Sequence, residues 1–276
     1  MTENPPAADG VAQALRERIN TSQPHTARIW NYWLGGKDNY EVDRAAGDQI
    51  RQLHPGIGEY ARADRLFLGR AVRHLVADAG IRQFLDIGTG LPTADNTHEV
   101  AQRLAPEARI VYVDNDPLVL AHARALLTST PEGRTDYLDE DLRNVDAILE
   151  HAAKSLDFTQ PVALILLGVV IFLDDDEDPY GVVRRLMDAL PPGSHLVLSH
   201  TITSPAMPDV DEAVKFWNEH GTPKLTQRTP EAVSRFFDGL ELLQPGVVSC
   251  SRWRSEEAGD AEPEEVAMFG GVARKN

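Results

Sequence analysis

The sequence predicts an α/β protein: an open, mostly parallel sheet with helices on both faces and a helical extension ahead of the first strand. Three observations carry that expectation. Apolar runs at 84–87, 110–113 and 162–167 suit strands buried on both faces. The first two runs are followed by residues with the 3.6 spacing of an amphipathic helix. A glycine turn, Gly88-Thr89-Gly90, joins the first of these strands to the helix behind it.

That turn is the informative stretch. A strand, a tight glycine turn and a helix N-terminus bring backbone N–H groups and the positive end of a helix dipole to one place. Gly88 and Gly90 let the backbone approach a ligand that a Cβ would push away. Pro92, Thr93 and Asp95 are expected to open the helix, which runs on through Leu104. The second strand ends in Asp114-Asn115-Asp116-Pro117. Asp114, roughly 20 residues beyond the turn, is placed to accept hydrogen bonds from a pair of ribose hydroxyls. Thr93 stands where a dinucleotide fingerprint has its third glycine, and Asp86 on the first strand would repel a diphosphate and attract a cationic head group. S-adenosylmethionine has an ammonium, a sulfonium and no phosphate, so it fits better than a nicotinamide dinucleotide. An oxidoreductase using the latter is the weaker alternative.

Two segments, FLDIGTGLPTADNTHEVAQ and IVYVDNDPLVLAHARALL, resemble the S-adenosylmethionine-binding core of class I methyltransferases. More narrowly, ARIWNYWLGGKDNYEVDRAA, LPPGSHLVLSH and GGVARK resemble a bacterial family of S-adenosyl methyltransferases, formerly a domain of unknown function. The resemblance covers residues 24–275, and LGGKDNY is its most specific piece. It implies a Rossmann-like sheet of seven strands and S-adenosylmethionine as cofactor. It also implies a role for Asp141 at the adenine amino group, with Leu142 beside it. Many members carry a histidine after the fourth strand, where this chain has Ile171. The methyl acceptor is not implied.

Composition limits the alternatives. With 276 residues, 42% hydrophobic and 7% aromatic, the chain can bury a large core. A net charge of −16 would repel a phosphate backbone, so no nucleic-acid partner is expected. A single cysteine, Cys250, excludes an intramolecular disulfide and a cysteine-based zinc site. No run approaches the roughly 18 apolar residues of a membrane span. The opening MTENPPAADG lacks a basic segment followed by an apolar one, so a cytoplasmic protein is expected, monomeric or homodimeric.

In chain order, residues 1–10 are polar and expected to be disordered, and 11–19 could add a turn or two of helix. Ile29, Trp30, Trp33 and Leu34 fall at helical spacing, and Gly35-Gly36 must stop that helix. The segment is either a surface helix docked by its aromatics or a lid over the cleft. In the second reading Tyr32, Gly36 and Lys37 meet the cofactor, with Lys37 at its carboxylate. Residues 43–53 and 57–79 form two helices around His54-Pro55-Gly56, and the arginines 62, 65, 70 and 73 read as a solvated face. Residues 1–80 thus make a helical extension on a core of 81–276. Beyond the second strand, 134–138 is a third, and the N-cap of a helix over 143–156 could be Asp141 or Asn144. Gly168 ends the fourth strand beside the cofactor. The carboxylates 174–178 are consecutive and cannot converge on one ion, so no metal is expected; Asp178-Pro179 starts a helix to Leu190. Residues 195–199 form the fifth strand, 208–219 and 230–237 two helices, and 240–243, 247–253 and 266–272 the last strands. The acidic insert 256–265 reads as a hairpin tip.

Methyl transfer from a sulfonium needs alignment and, for a hydroxyl or protonated amine, removal of a proton. His200, at the carboxyl edge of the fifth strand, is the candidate base by type and position; a histidine bonded to a loop carbonyl is the competing reading. The expected function is methyl transfer to a small-molecule acceptor, with a non-catalytic protein that binds the cofactor as the alternative.

Overall fold

The computed structural model describes residues 20–126, 128–255 and 262–276. The expectations for residues 1–19 and for most of the acidic insert lie outside them.

Among the described residues three helices precede the sheet: α1 (Thr26–Trp33), α2 (Glu41–Leu53) and α3 (Ile57–Ala77). The first two are held together by one carboxylate. Asp43 is fully buried and accepts from the His25 backbone at 2.9 Å, Arg28 Nε at 2.8 Å and the Tyr40 backbone at 2.8 Å. Removing one partner of a buried pair of this kind costs about 3–5 kcal/mol, because the other charge is stranded. α3 lays Phe67, Ala71 and Leu75 on the sheet, and Phe67 meets the buried Trp253 edge-on at 5.3 Å.

The core alternates strand and helix: β1 (Gln83–Ile87), α4 (Thr97–Leu104), β2 (Arg109–Asp114), α5 (Pro117–Leu126), β3 (Arg134–Asp139), α6 (Val145–Ala152), β4 (Ala163–Leu167), α7 (Pro179–Asp188) and β5 (His195–Thr201). α8 (Pro208–His220), α9 (Pro230–Ser234), β6 (Glu241–Leu242), β7 (Val248–Ser249) and β8 (Met268–Arg274) complete it. The strand order is β3-β2-β1-β4-β5-β8-β6, with β7 paired to β8 off that path. β1 to β5 are parallel, and β8 runs antiparallel to β5 from His195↔Arg274 to Thr201↔Met268.

Among the described residues the sheet has eight strands where seven are expected. The far side of β8 pairs with β6 at Arg274 and Ala273 and with β7 at Gly270 and Phe269, so two short strands share one edge. Helix α4 also starts later than Pro92–Asp95, at Thr97. Asn96 and Glu99 form a reciprocal capping box there, and Asp95 sits at φ 58°, which no helix continues. The chain leaves β1 in one direction to β2 and β3 and then returns to β4 and β5 on the other side. The carboxyl ends of β1 and β4 therefore flank the reversal point, where open sheets of this kind bind ligands.

Candidate functional site

A cleft of about 320 Å³ lies at that point, within the usual range of small-molecule sites. Gly88 and Gly90 turn the chain at φ 75° and 64°. At Gly88 a Cβ would stand 2.4 Å from Val169 Cγ2, so the turn closes against the end of β4 only because the side chain is absent. Asp114 is fastened to the turn: Oδ2 accepts from the Gly90 backbone at 2.9 Å and Oδ1 from Asp116 at 2.9 Å. Each oxygen keeps a further lone pair for a ligand hydroxyl. Burial pushes Asp114 up to about 6, against the pull of these two donors.

Two more carboxylates face the cleft. Asp86 accepts from Thr97 Oγ1 at 2.6 Å, and burial raises it to about 6. Asp64 of α3 accepts from Ser199 Oγ at 2.7 Å and is likewise raised to about 6 by burial. Arg65 lines the cleft beside them and donates to the carbonyls of Ala94 and Asp95 at 3.2 Å, bracing the loop after the turn. The α3 arginines read as a solvated face, so Asp64 and Arg65 were not expected here.

On the opposite wall, Asn115 Nδ2 donates to Asp141 Oδ2 at 2.9 Å, and Asp141 Oδ1 accepts from the Arg143 backbone at 2.9 Å. Burial opposes ionisation of Asp141, but these donors and the Arg143 guanidinium outweigh it and hold the carboxyl below its usual range. The N-cap of α6 is Asn144, which leaves Asp141 free of that role. Leu142, Thr89 and Gly168 complete this side of the cleft. Pro92 borders a small adjoining recess of about 20 Å³ rather than the cleft itself.

The remaining wall is α1 with its C-cap residue, which contribute Trp30, Asn31 and Leu34. The LGGKDNY segment acts on it from behind. Asn31 Oδ1 accepts from the Asp38 backbone and from Asn39 Nδ2, both at 3.0 Å, and a Cβ on Gly36 would fall 2.3 Å from Asn31 Nδ2. The Asp38 backbone and the Asn39 side chain are thus spent on holding Asn31, and the Asp38 carboxylate faces His122 at 3.7 Å. Of the three residues expected at the cofactor from this segment, none lines the cleft: Tyr32 donates to Asp48 at 2.7 Å, Gly36 seats Asn31, and Lys37 is exposed.

His200 is fully buried and lines neither the cleft nor its neighbour. Its Nδ1 meets the Thr201 carbonyl at 2.8 Å and its Nε2 meets Arg228 Nη1 at 2.9 Å, which fixes the neutral Nδ1–H tautomer. Burial holds it down at about 4. Arg228 continues to Asp175 at 2.7 Å, so His200 braces the loop after β4.

A second cavity, of about 80 Å³, opens beside the cleft and shares Thr26, Trp30, Gly168 and Phe172 with it. Its walls are mostly apolar, and Ile171 is one of them. Among the described residues no helix is long and apolar enough to cross a membrane, and no cluster of three His, Cys, Asp or Glu is placed to hold a metal ion.

The donor set fits S-adenosylmethionine. Four carboxylates, Asp64, Asp86, Asp114 and Asp141, suit a ligand with two cationic centres and a ribose, and Arg65 beside the glycine turn is engaged with the carbonyls of Ala94 and Asp95. A profile of S-adenosyl methyltransferases matches residues 12–276. A crystal structure of a DUF574-family protein from Streptomyces avermitilis is 44% identical, with a TM-score of 0.88 over 93% of this chain and 99% of that one. A candidate methyltransferase from Thermobifida fusca is 40% identical, with a TM-score of 0.86 over 94% and 97%. Carboxy-S-adenosyl-L-methionine synthase of Chromohalobacter salexigens is 30% identical over 77% of this chain and 72% of its own. The fold alone is shared with magnesium protoporphyrin IX methyltransferase of Synechocystis crystallised with S-adenosylmethionine, at 13% identity and a TM-score of 0.53 over 99% and 100%. With its cleft, its donor set and these relatives together, the chain belongs to the S-adenosyl methyltransferase family and is an S-adenosylmethionine-dependent methyltransferase.

Proposed function

We propose that the chain methylates a small molecule, with the cofactor in the larger cleft and the acceptor in the smaller cavity. One observation carries this reading: the two cavities share Thr26, Trp30, Gly168 and Phe172 in their walls, so an acceptor in one would lie beside a cofactor in the other near the end of β4. Asp114 would hold the ribose hydroxyls, Asp141 with Asn115 the adenine amino group, and Asp86 the ammonium. The cofactor supplies an activated methyl group and its own leaving group. The chain's part is to align the acceptor and exclude water. A cavity of about 80 Å³ walled by apolar side chains suits a small acceptor, and the charge of −16 disfavours a nucleic acid.

Calorimetry tests the cofactor half directly. The native protein should bind S-adenosylmethionine and S-adenosylhomocysteine, and absence of both would reject the reading. A methylated product should then form from a metabolite extract supplied with isotopically labelled cofactor. Binding without any product would favour a sensor.

A further inference from the structure

One carboxylate of the larger cleft has no task in the reading above. Asp64 of α3 is 5% exposed and lines the cleft. Its Oδ1 accepts from Ser199 Oγ at 2.7 Å, and Ser199 Oγ accepts from the Gly168 backbone at 3.0 Å, which pins the carboxyl where β4 and β5 end. Its Oδ2 has no donor among the described residues and is not sealed from solvent. Asp86, 6% exposed on β1, is held in the same way. Thr97 Oγ1 donates to its Oδ2 at 2.6 Å, and its Oδ1 is likewise without a donor and unsealed.

Charge and donor count restrict what these two oxygens can meet. Asp114 already holds two backbone N–H groups, and Asp141 holds Asn115 and the Arg143 guanidinium. Asp64 and Asp86 have one neutral hydroxyl each. The titratable groups set against Asp64 are Arg65 and Tyr60 of α3 and Cys250, whose Sγ lies 4.0 Å from Oδ1. Those set against Asp86 are Arg65, Asp64 and, from β2, Tyr112 and Asp114. Burial pushes Tyr60, Tyr112 and Cys250 far up, so all three stay neutral. Arg65 is the cation that both carboxylates feel, and it leaves the ionised pair with one negative charge in excess. An ammonium supplies one positive charge and three N–H donors, whereas a sulfonium has no hydrogen to donate.

We propose that Asp64 is a second anchor for the cofactor's ammonium, shared with Asp86, and that the ammonium displaces a proton which the two carboxyls hold in the ligand-free cleft; this rests on the placement of the cofactor in the larger cleft given above. One N–H goes to Asp64 Oδ2 and one to Asp86 Oδ1, so the ammonium bridges the end of β1 and the ends of β4 and β5. Burial raises both carboxyls to about 6, and Asp64 adds to the rise at Asp86. Near pH 6 each is then about half protonated, and the pair holds about one proton. A cation between them lowers both values, and the proton passes to the buffer. No covalent bond of the cofactor changes.

The test is calorimetry on the whole chain with S-adenosylhomocysteine, S-adenosylmethionine and 5′-methylthioadenosine, which keeps the adenine, ribose and sulfur and lacks the amino-acid end. Titrations in two buffers of different ionisation enthalpy count the protons released. At pH 6 S-adenosylhomocysteine should release about one proton more than 5′-methylthioadenosine, and the difference should vanish by pH 8. Asp64→Asn keeps an oxygen for Ser199 Oγ and removes the charge. It should weaken S-adenosylhomocysteine and S-adenosylmethionine alike, about tenfold to a hundredfold at pH 7, leave 5′-methylthioadenosine unchanged, and about halve the extra proton release. If neither S-adenosylhomocysteine nor 5′-methylthioadenosine binds the native chain, the placement of the cofactor falls, whatever Asp64 does. Native S-adenosylhomocysteine affinity in Asp64→Asn overturns the ammonium assignment. So does a loss confined to S-adenosylmethionine, which would put Asp64 at the sulfonium, or an equal loss of 5′-methylthioadenosine, which would make it a support for the whole cleft. Equal proton release by S-adenosylhomocysteine and 5′-methylthioadenosine overturns the displacement. Release by S-adenosylhomocysteine that Asp64→Asn leaves unchanged overturns it whether or not 5′-methylthioadenosine binds.

Discussion

Replacing Asp86 by asparagine should stabilise the ligand-free protein at pH 7 while weakening its hold on the cofactor. Burial raises this carboxyl from 3.8 to about 6, so it binds its proton more tightly folded than unfolded. A group shifted in that direction contributes stability that is complete below the unfolded value near 4 and is lost as pH rises through about 6. At pH 7 the folded chain therefore carries a buried charge at a cost of about 3 kcal/mol. Asparagine removes the charge and keeps an oxygen for Thr97 Oγ1, now at 2.6 Å. The expected gain is about 2–3 kcal/mol by urea denaturation at pH 7, shrinking toward zero as pH falls to 4. Loss of a charge-assisted bond to an ammonium should at the same time weaken S-adenosylmethionine by about 1.5–3 kcal/mol, or tenfold to a hundredfold. A variant less stable at pH 7, or a gain that does not change with pH, would refute the reasoning about burial. Unchanged affinity would remove Asp86 from the ammonium site.

Further expectations follow from other residues. Asp114→Ala should raise the Kd for S-adenosylhomocysteine by about tenfold to a hundredfold, as calorimetry can show, since two ribose hydroxyls would lose a charged partner. Native affinity for S-adenosylmethionine should decline as pH falls below about 6, when Asp86 and Asp114 take up protons; a flat profile from pH 5 to 7 would exclude their ionised forms from binding. His200→Leu should cost about 1–3 kcal/mol of stability by leaving Arg228 Nη1 without its acceptor on His200, and should not alter the pH–rate profile of the folded fraction. Tyr32→Phe should leave cofactor affinity unchanged, because that hydroxyl serves Asp48.

Much of the architecture was legible because it is written in local pattern. The apolar runs of β1, β2 and β4, the glycine turn and Asp114 at a strand end are all signals within one strand–turn–helix unit. The second wall was not legible, for a physical reason in each case. Asp64 and Arg65 look like ordinary exposed positions of a long helix, and only the docking angle of α3 aims them at the cleft. LGGKDNY has enough polar groups for a ligand, but Asn31 takes the Asp38 backbone and the Asn39 side chain, and no spacing rule tells a side chain's neighbour from a cofactor. His200 has the residue type and sheet edge of a base, yet Arg228 and Thr201 occupy both of its nitrogens.

The buried Asp43 bears on how a ligand reaches the cleft at all. Because one carboxylate ties the start of α1, Arg28 and the start of α2, the helix covering the cleft cannot lift on its own without breaking a desolvated ion pair. Trp33 Nε1 to the Gly47 carbonyl, at 3.2 Å, and Tyr32 to Asp48, at 2.7 Å, add ties in the same sense. Lifting α1 would therefore carry α2 with it rather than melt the first helix alone. Amide protons of the two helices should exchange with solvent at a common rate in the free protein and slow together when the cleft is filled.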